Sequence, residues 1–122
     1  MKKIFHITDK KFWNGKEKEY TCDTSTYKTD DGSIHSFESD GFIPCATREQ
    51  VIDVANHLFK GKNDLIVLVI DESKVHAQIK YENPGNGKLY PRIYGPLNTD
   101  AVISVDDLKT DKDGLFVLPD VA

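Results

Sequence analysis

Residues 47–70 read TREQVIDVANHLFKGKNDLIVLVI, and two structural periods meet inside them. Val51, Val54, Ala55, Leu58 and Phe59 recur at the 3.6-residue spacing of one helix face. Thr47 followed by Gln50 is the pattern of a capping box, in which each side chain satisfies the other's free backbone N–H. Gly61 stops the helix, since glycine adopts the left-handed conformation of a C-terminal cap without a Cβ clash. Residues 65–70 are then six apolar positions in a row, rich in Val and Ile. Their length and β-branched content predict a strand buried on both faces. A membrane-spanning helix needs roughly 20 such residues, so this run is far too short for one.

Working outward, Ile4-Phe5-His6-Ile7 alternates as a first strand, with His6 on the face opposite Phe5 and Ile7. Thr8 or Asp9 then caps a short helix through Lys10-Lys11-Phe12-Trp13, ended by Asn14-Gly15. Residues 21–41 are rich in Ser, Thr, Asp and Gly and read as an extended loop, with a small hairpin about Asp30-Asp31-Gly32-Ser33. Phe42-Ile43-Pro44-Cys45 is a short apolar piece. Pro44 has no N–H for a ladder, so this piece sits at a sheet edge or leaves the sheet there. Beyond the long strand, Asp71-Glu72-Ser73-Lys74 is a turn, residues 78–81 alternate as a strand, and Asn83-Pro84-Gly85-Asn86-Gly87 is a second turn. Residues 101–105 and 115–118 are the last strands. The expectation is one α+β domain over residues 1–122, a mostly antiparallel sheet with one main helix and a polar inserted loop at about 21–39.

Composition narrows the classes. The chain has 122 residues, 39% hydrophobic and 30% charged, with sixteen basic against twenty acidic groups and a net charge of −4. A chain without a basic block lacks the footprint of nucleic-acid binding by counterion release. The start, MKKIFHITDKKFW, carries no apolar run of secretory type, which points to a cytoplasmic protein with reduced thiols and no membrane association. Cys22 and Cys45 are not spaced with histidines as zinc ligands are, so no metal is expected. The phosphate-loop, dinucleotide-fingerprint, nucleophile-elbow and His-Glu-x-x-His patterns are all absent.

Three segments have residue types that carry chemistry. His6 on its strand either orients a ligand hydroxyl and serves as acid or base, or is a buried histidine bonded to backbone. His35, His57 and His76 read as surface residues. Asp40-Gly41-Phe42-Ile43-Pro44-Cys45-Ala46-Thr47 runs from a glycine turn into a helix N-terminus, whose free N–H groups favour an anion. Arg48 stands in that first turn, and it is equally read as a solvent-facing residue of a capped helix. Leu89-Tyr90-Pro91-Arg92-Ile93-Tyr94-Gly95-Pro96-Leu97 alternates aromatic and arginine residues between rigid prolines. It presents either an aromatic platform beside a guanidinium or a rigid connection packed on the sheet. Arg48 and Arg92 are the chain's only arginines, hence its only forked phosphate clamps.

Taken in order, Ile4-Phe5-His6-Ile7-Thr8, Gly41-Phe42-Ile43-Pro44-Cys45-Ala46-Thr47-Arg48-Glu49-Gln50-Val51, Ala55-Asn56 and Pro91-Arg92-Ile93-Tyr94-Gly95-Pro96-Leu97 resemble the bacterial domain-of-unknown-function 952 family. Trp13, Asp64-Leu65 and Tyr81-Glu82 also fall where that family's residues are expected. The resemblance covers the chain from Ile4 to about Leu108. It implies a fold similar to ADP-ribosyltransferases, a split antiparallel sheet whose cleft holds NAD in active members. On that likeness His6 matches a first-strand histidine that orients a ribose, residues 42–47 border the nicotinamide, and Glu82, Arg92 or Tyr94 stands at the acceptor-positioning place. Relatives usually carry His where this chain has Pro44 and Arg92, and often Ser where it has Ala46. An arginine stays protonated and cannot act as a base near pH 7, yet it binds phosphate well.

Two readings follow, with a third beside them. The first in order is a domain that binds a nucleotide-like or phosphorylated small molecule through His6, Thr8, Phe42, Cys45, Thr47, Arg48, Arg92 and Tyr94. The alternative is an NAD-dependent ADP-ribosyl-transfer or NAD-cleaving enzyme with His6, Tyr94 and Glu82 as catalytic residues, and NAD is the cofactor that this likeness implies. A structural or protein-interaction role without a ligand is the third.

Overall fold

The computed structural model describes residues 2–21, 27–28, 34–35 and 41–118. Strand β1 (Lys3–Asp9) and strand β6 (Leu65–Asp71) pair antiparallel, from Lys3 opposite Asp71 to Asp9 opposite Leu65. Strand β10 (Val102–Asp107) pairs antiparallel with the other side of β6, with a register shift between Val102 and Ser104. β6 is thus the centre of a three-stranded sheet, and every residue from Leu65 to Asp71 is buried. The buried strand expected at residues 65–70 is present, and its neighbours are antiparallel.

A second three-stranded sheet has the order β5 (Ile43–Pro44), β8 (Tyr90–Tyr94), β7 (Gln78–Glu82). A backbone bridge joins the two sheets. Phe5 and Ala46 exchange both N–H···O bonds at 2.8 Å, so the chain leaves β8 after Cys45 and pairs with β1. β5 is an edge, as one of the two expectations for Pro44 requires, and the exit comes one residue beyond that proline. Pro91 lies inside the central strand β8, a position that usually excludes proline. Its carbonyl accepts from Cys45 N–H at 3.0 Å. In an antiparallel strand the N and C=O of one residue point the same way, so the missing donor falls on the β5 side, where β5 is already departing.

The first sheet is the middle of three layers. Phe5, Ile7, Leu65, Val67 and Val69 point to one side and bury Val51 and Ala55 of helix α1 (Val51–Leu58) and Phe59 just past its end, together with Leu108 and Phe116. Ile4, Ile66, Leu68 and Ile70 point to the other and meet Ile43 and Ile93 from the second sheet, with Tyr20, Leu97 and Ala101 at the rim. Strand alternation assigns these faces, and burial of both explains why residues 65–70 carry no polar side. The molecule is α+β with mostly antiparallel sheets and a single helix among the described residues.

Some local expectations shift. Only half of the expected capping box forms: Gln50 Oε1 accepts the Thr47 N–H at 3.0 Å, but the N–H groups of Gln50 and Val51 both go to the Thr47 carbonyl rather than to its hydroxyl. Regular helix runs only over Val51–Leu58, with Gly61 at φ 85° beyond it. The short helix at residues 10–13 is one 3-10 turn, Lys10–Phe12, and its capping residue Asp9 makes no side-chain bond. Residues 93–97 divide between β8 and β9 (Leu97–Asn98), which pairs with β2 (Glu19–Tyr20). In the polar stretch β3 (Tyr27–Lys28) and β4 (Ile34–His35) pair antiparallel, while Cys22 and residues 30–33 of the expected hairpin lie outside the described residues. The last elements among the described residues are a small pair, β11 (Lys109–Thr110) with β12 (Phe116–Val117). Among the described residues no helix is long and apolar enough to cross a membrane.

Candidate functional site

His6 is on the face of β1 opposite Phe5 and Ile7, as the alternation requires, and this face is covered by the second sheet. Only 3% of it is exposed. Nδ1 lies 2.7 Å from Pro44 O and Nε2 lies 2.9 Å from Tyr20 Oη. A carbonyl oxygen only accepts, so Nδ1 carries the proton and Nε2 accepts from the tyrosine hydroxyl. The ring stands edge-on to Tyr20, which in turn packs against Trp13. Burial pushes the imidazole pKa down to about 4, against the smaller opposing effect of the Pro44 bond. His6 is a neutral histidine that ties β1 to β5 and β2. A ribose hydroxyl would have to displace Tyr20 or Pro44 to reach it.

The other residues singled out from sequence separate into groups. Thr8 and Cys45 are buried, and Cys45 belongs to the core between the sheets. Thr47 and the exposed Arg48 stand at the entry to α1. Phe42, Glu82, Arg92 and Tyr94 come together on the outer face of the second sheet. Pro91 and Ile93 turn inward and are buried, so Tyr90, Arg92 and Tyr94 turn outward. Across the ladder Arg92 stands opposite Pro44 on β5 and opposite Lys80 on β7.

That outer face has a definite arrangement. The Arg92 guanidinium lies 4.3 Å from the centre of the Phe42 ring, and Lys80 Nζ lies 4.9 Å from the centre of the Tyr94 ring. The two rings are 5.4 Å apart at 51°. Arg92 Nη1 is 3.6 Å from Glu82 Oε1, and the Tyr94 hydroxyl donates to the same oxygen. The carboxylate beside it raises the Tyr94 pKa, and the nearby guanidinium pulls the other way. Like charges directly opposite across a ladder repel. Here two aromatic faces and one carboxylate compensate for them, leaving one excess positive charge on a net acidic chain. Lys80 is the member that sequence reasoning passed over. Its position in an alternating strand was visible, and its pairing with Arg92 was not.

Two further features complete the survey. Ser73, Lys74, His76 and Asp100 line an open depression of about 400 Å³. The buried Asn98 beneath it accepts from His76 N–H and donates to Lys74 O, so its polar atoms are spent within the fold. Among the described residues no group of His, Cys, Asp and Glu is arranged to hold a metal ion.

The described residues thus form an α+β fold of bridged antiparallel sheets with one α-helix, and Phe42, Lys80, Glu82, Arg92 and Tyr94 share the outer face of the second sheet. The chain belongs to the DUF952 family, proteins of unknown function, whose model matches residues 7–105. Among solved structures it is similar to the protein CC0527 from Caulobacter crescentus. The crystal structure of that protein aligns with a TM-score of 0.73 at 23% identity, over 94% of this chain and 93% of that one. Its solution NMR structure aligns at 0.71 and 25% identity, over 94% and 91%. No curated protein matches the chain.

Proposed function

We propose that this protein binds a phosphorylated small molecule, nucleotide-like ligands included, through its phosphate on the outer face of β7 and β8. The observation that carries the reading is the cross-strand pair of Lys80 and Arg92, each held over an aromatic ring. A forked guanidinium beside a point-charge ammonium is a natural receptor for a tetrahedral oxyanion, and an anion between them relieves their mutual repulsion. The reading places the protein in the cytoplasm, where such metabolites are plentiful.

NAD qualifies as a ligand of this face through its pyrophosphate. NAD cleavage would ask more, because the ADP-ribosyltransferase likeness assigns ribose orientation to His6, and both His6 nitrogens are engaged inside the fold. The geometry therefore favours binding over group transfer.

The test is calorimetric titration at low salt with inorganic phosphate, AMP, NAD and adenosine, on the natural protein and on Arg92→Gln and Lys80→Gln. Phosphate, AMP and NAD should bind and adenosine should not, and either substitution should weaken binding tenfold or so with little change in melting temperature. A charge-assisted bond contributes about 1.5–3 kcal/mol, and tenfold is the low end of that range, as suits a partly exposed face. Equal affinities in all three proteins would refute the reading, as would the absence of any heat with phosphate.

A further inference from the structure

Glu82 stands where a ligand would. Its Oε1 atom accepts from the Tyr94 hydroxyl and forms an ion pair with Arg92 Nη1 at 3.6 Å, so one carboxylate oxygen takes up the hydroxyl and faces the guanidinium that a phosphate oxygen would use. Glu82 is opposite Tyr90 in the register, two residues along β7 from the Lys80–Arg92 pair, and reaches that pair from the side. Its side chain is 37% exposed at the end of β7, next to the exposed turn of residues 83–87, and has room to swing away. From these contacts we infer that Glu82 is a built-in competitor, whose carboxylate must yield its place between Arg92 and Tyr94 to the incoming phosphate and thereby sets the affinity of the face. The inference rests on the phosphate-binding reading and adds to it.

The same geometry narrows the ligand. The faces of Phe42 and Tyr94 that a nucleobase would stack on are already covered by the guanidinium and the ammonium. A base gains stacking there only by displacing a cation, whereas a compact terminal phosphate needs only the carboxylate to move. The preferred group is therefore a terminal phosphate, ahead of the internal pyrophosphate of NAD, and the remainder of the ligand contributes little.

Glu82→Gln keeps the side chain's shape and its ability to accept from Tyr94 and removes the competing charge. Partly exposed ion pairs contribute up to about 1 kcal/mol, so inorganic phosphate should bind about three- to fivefold more tightly to Glu82→Gln than to the natural protein. AMP should gain by the same factor, and adenosine should stay without binding. Glu82→Ala should tighten phosphate in the same direction, so that a folding defect in one variant does not decide the outcome. Unchanged or weaker phosphate binding in both variants, with the natural protein binding phosphate, overturns the role of Glu82 alone. Absence of phosphate binding in all three proteins overturns the phosphate reading itself. AMP binding far more tightly than phosphate would show that the nucleoside contributes and would overturn this narrowing.

Discussion

Acidification should destabilise this protein through one residue. His6 has a folded-state pKa of about 4 against an ordinary value of 6.5, because its imidazole is buried and its two nitrogens are bonded as a neutral ring. The unfolded chain thus takes up the proton first as pH falls. The stabilisation is complete above pH 6.5 and is lost progressively between 6.5 and 4. Each unit of difference is worth about 1.4 kcal/mol, so moving from pH 7 to pH 5 should remove about 2 kcal/mol, and the full loss saturates at about 3 kcal/mol. That is a large part of a marginal domain's stability. The assay is urea unfolding at pH 7, 6 and 5, followed through the single tryptophan, Trp13, which packs on His6's partner Tyr20. His6→Asn keeps a donor near the Nδ1 position for Pro44 O and abolishes the titration. It should cost about 1–3 kcal/mol at pH 7, since the Tyr20 hydroxyl loses its acceptor. It should also flatten the fall between pH 7 and 5 by about 2 kcal/mol. Identical pH slopes in the natural protein and in His6→Asn would refute the reasoning.

Two other substitutions probe the scaffold. Leu68, at the centre of β6 and fully buried between the sheets, should cost about 2–5 kcal/mol when changed to Ala, read as a lower urea midpoint with an unchanged slope. Gly95 has φ 149°, and a Cβ there would approach Ala77 Cβ at 3.0 Å. Gly95→Ala should therefore lower stability by about 1–3 kcal/mol in thermal unfolding and weaken phosphate binding as well, since it follows Tyr94 directly.

The elements that could be read from sequence are those whose cause is local. Helix α1 and strand β6 follow from periodicity and from length. The edge position of β5 follows from one missing N–H at Pro44, and the face of His6 from simple alternation. What stayed hidden depends on contacts between distant parts of the chain. The partners of His6 are 14 and 38 residues away, and they turn a candidate ribose-orienting histidine into a strut between strands. Lys80 has no distinction in its own strand and acquires one only by standing opposite Arg92. Pro91 taken alone argues against a central strand, and the departure of β5 removes the need for its donor. The candidate ligand residues lay close in the resemblance but separate in space, with Thr8 and Cys45 buried, Arg48 at the helix entry, and Phe42, Glu82, Arg92 and Tyr94 gathered on one sheet face. The match to the DUF952 family agrees with the ordered segments that suggested it, and those segments include both core and outer-face residues.

The central claim is that phosphate is received on the outer face of the second sheet. Its most direct test is a titration of inorganic phosphate into isotopically labelled protein, followed by backbone amide NMR shifts. Saturable shifts should concentrate on the amides of residues 42, 43, 78–82, 90 and 92–94 and leave those around Ser73, Lys74, His76 and Asp100 unmoved. Saturable shifts confined to that second group, or no saturable shift anywhere, would contradict it.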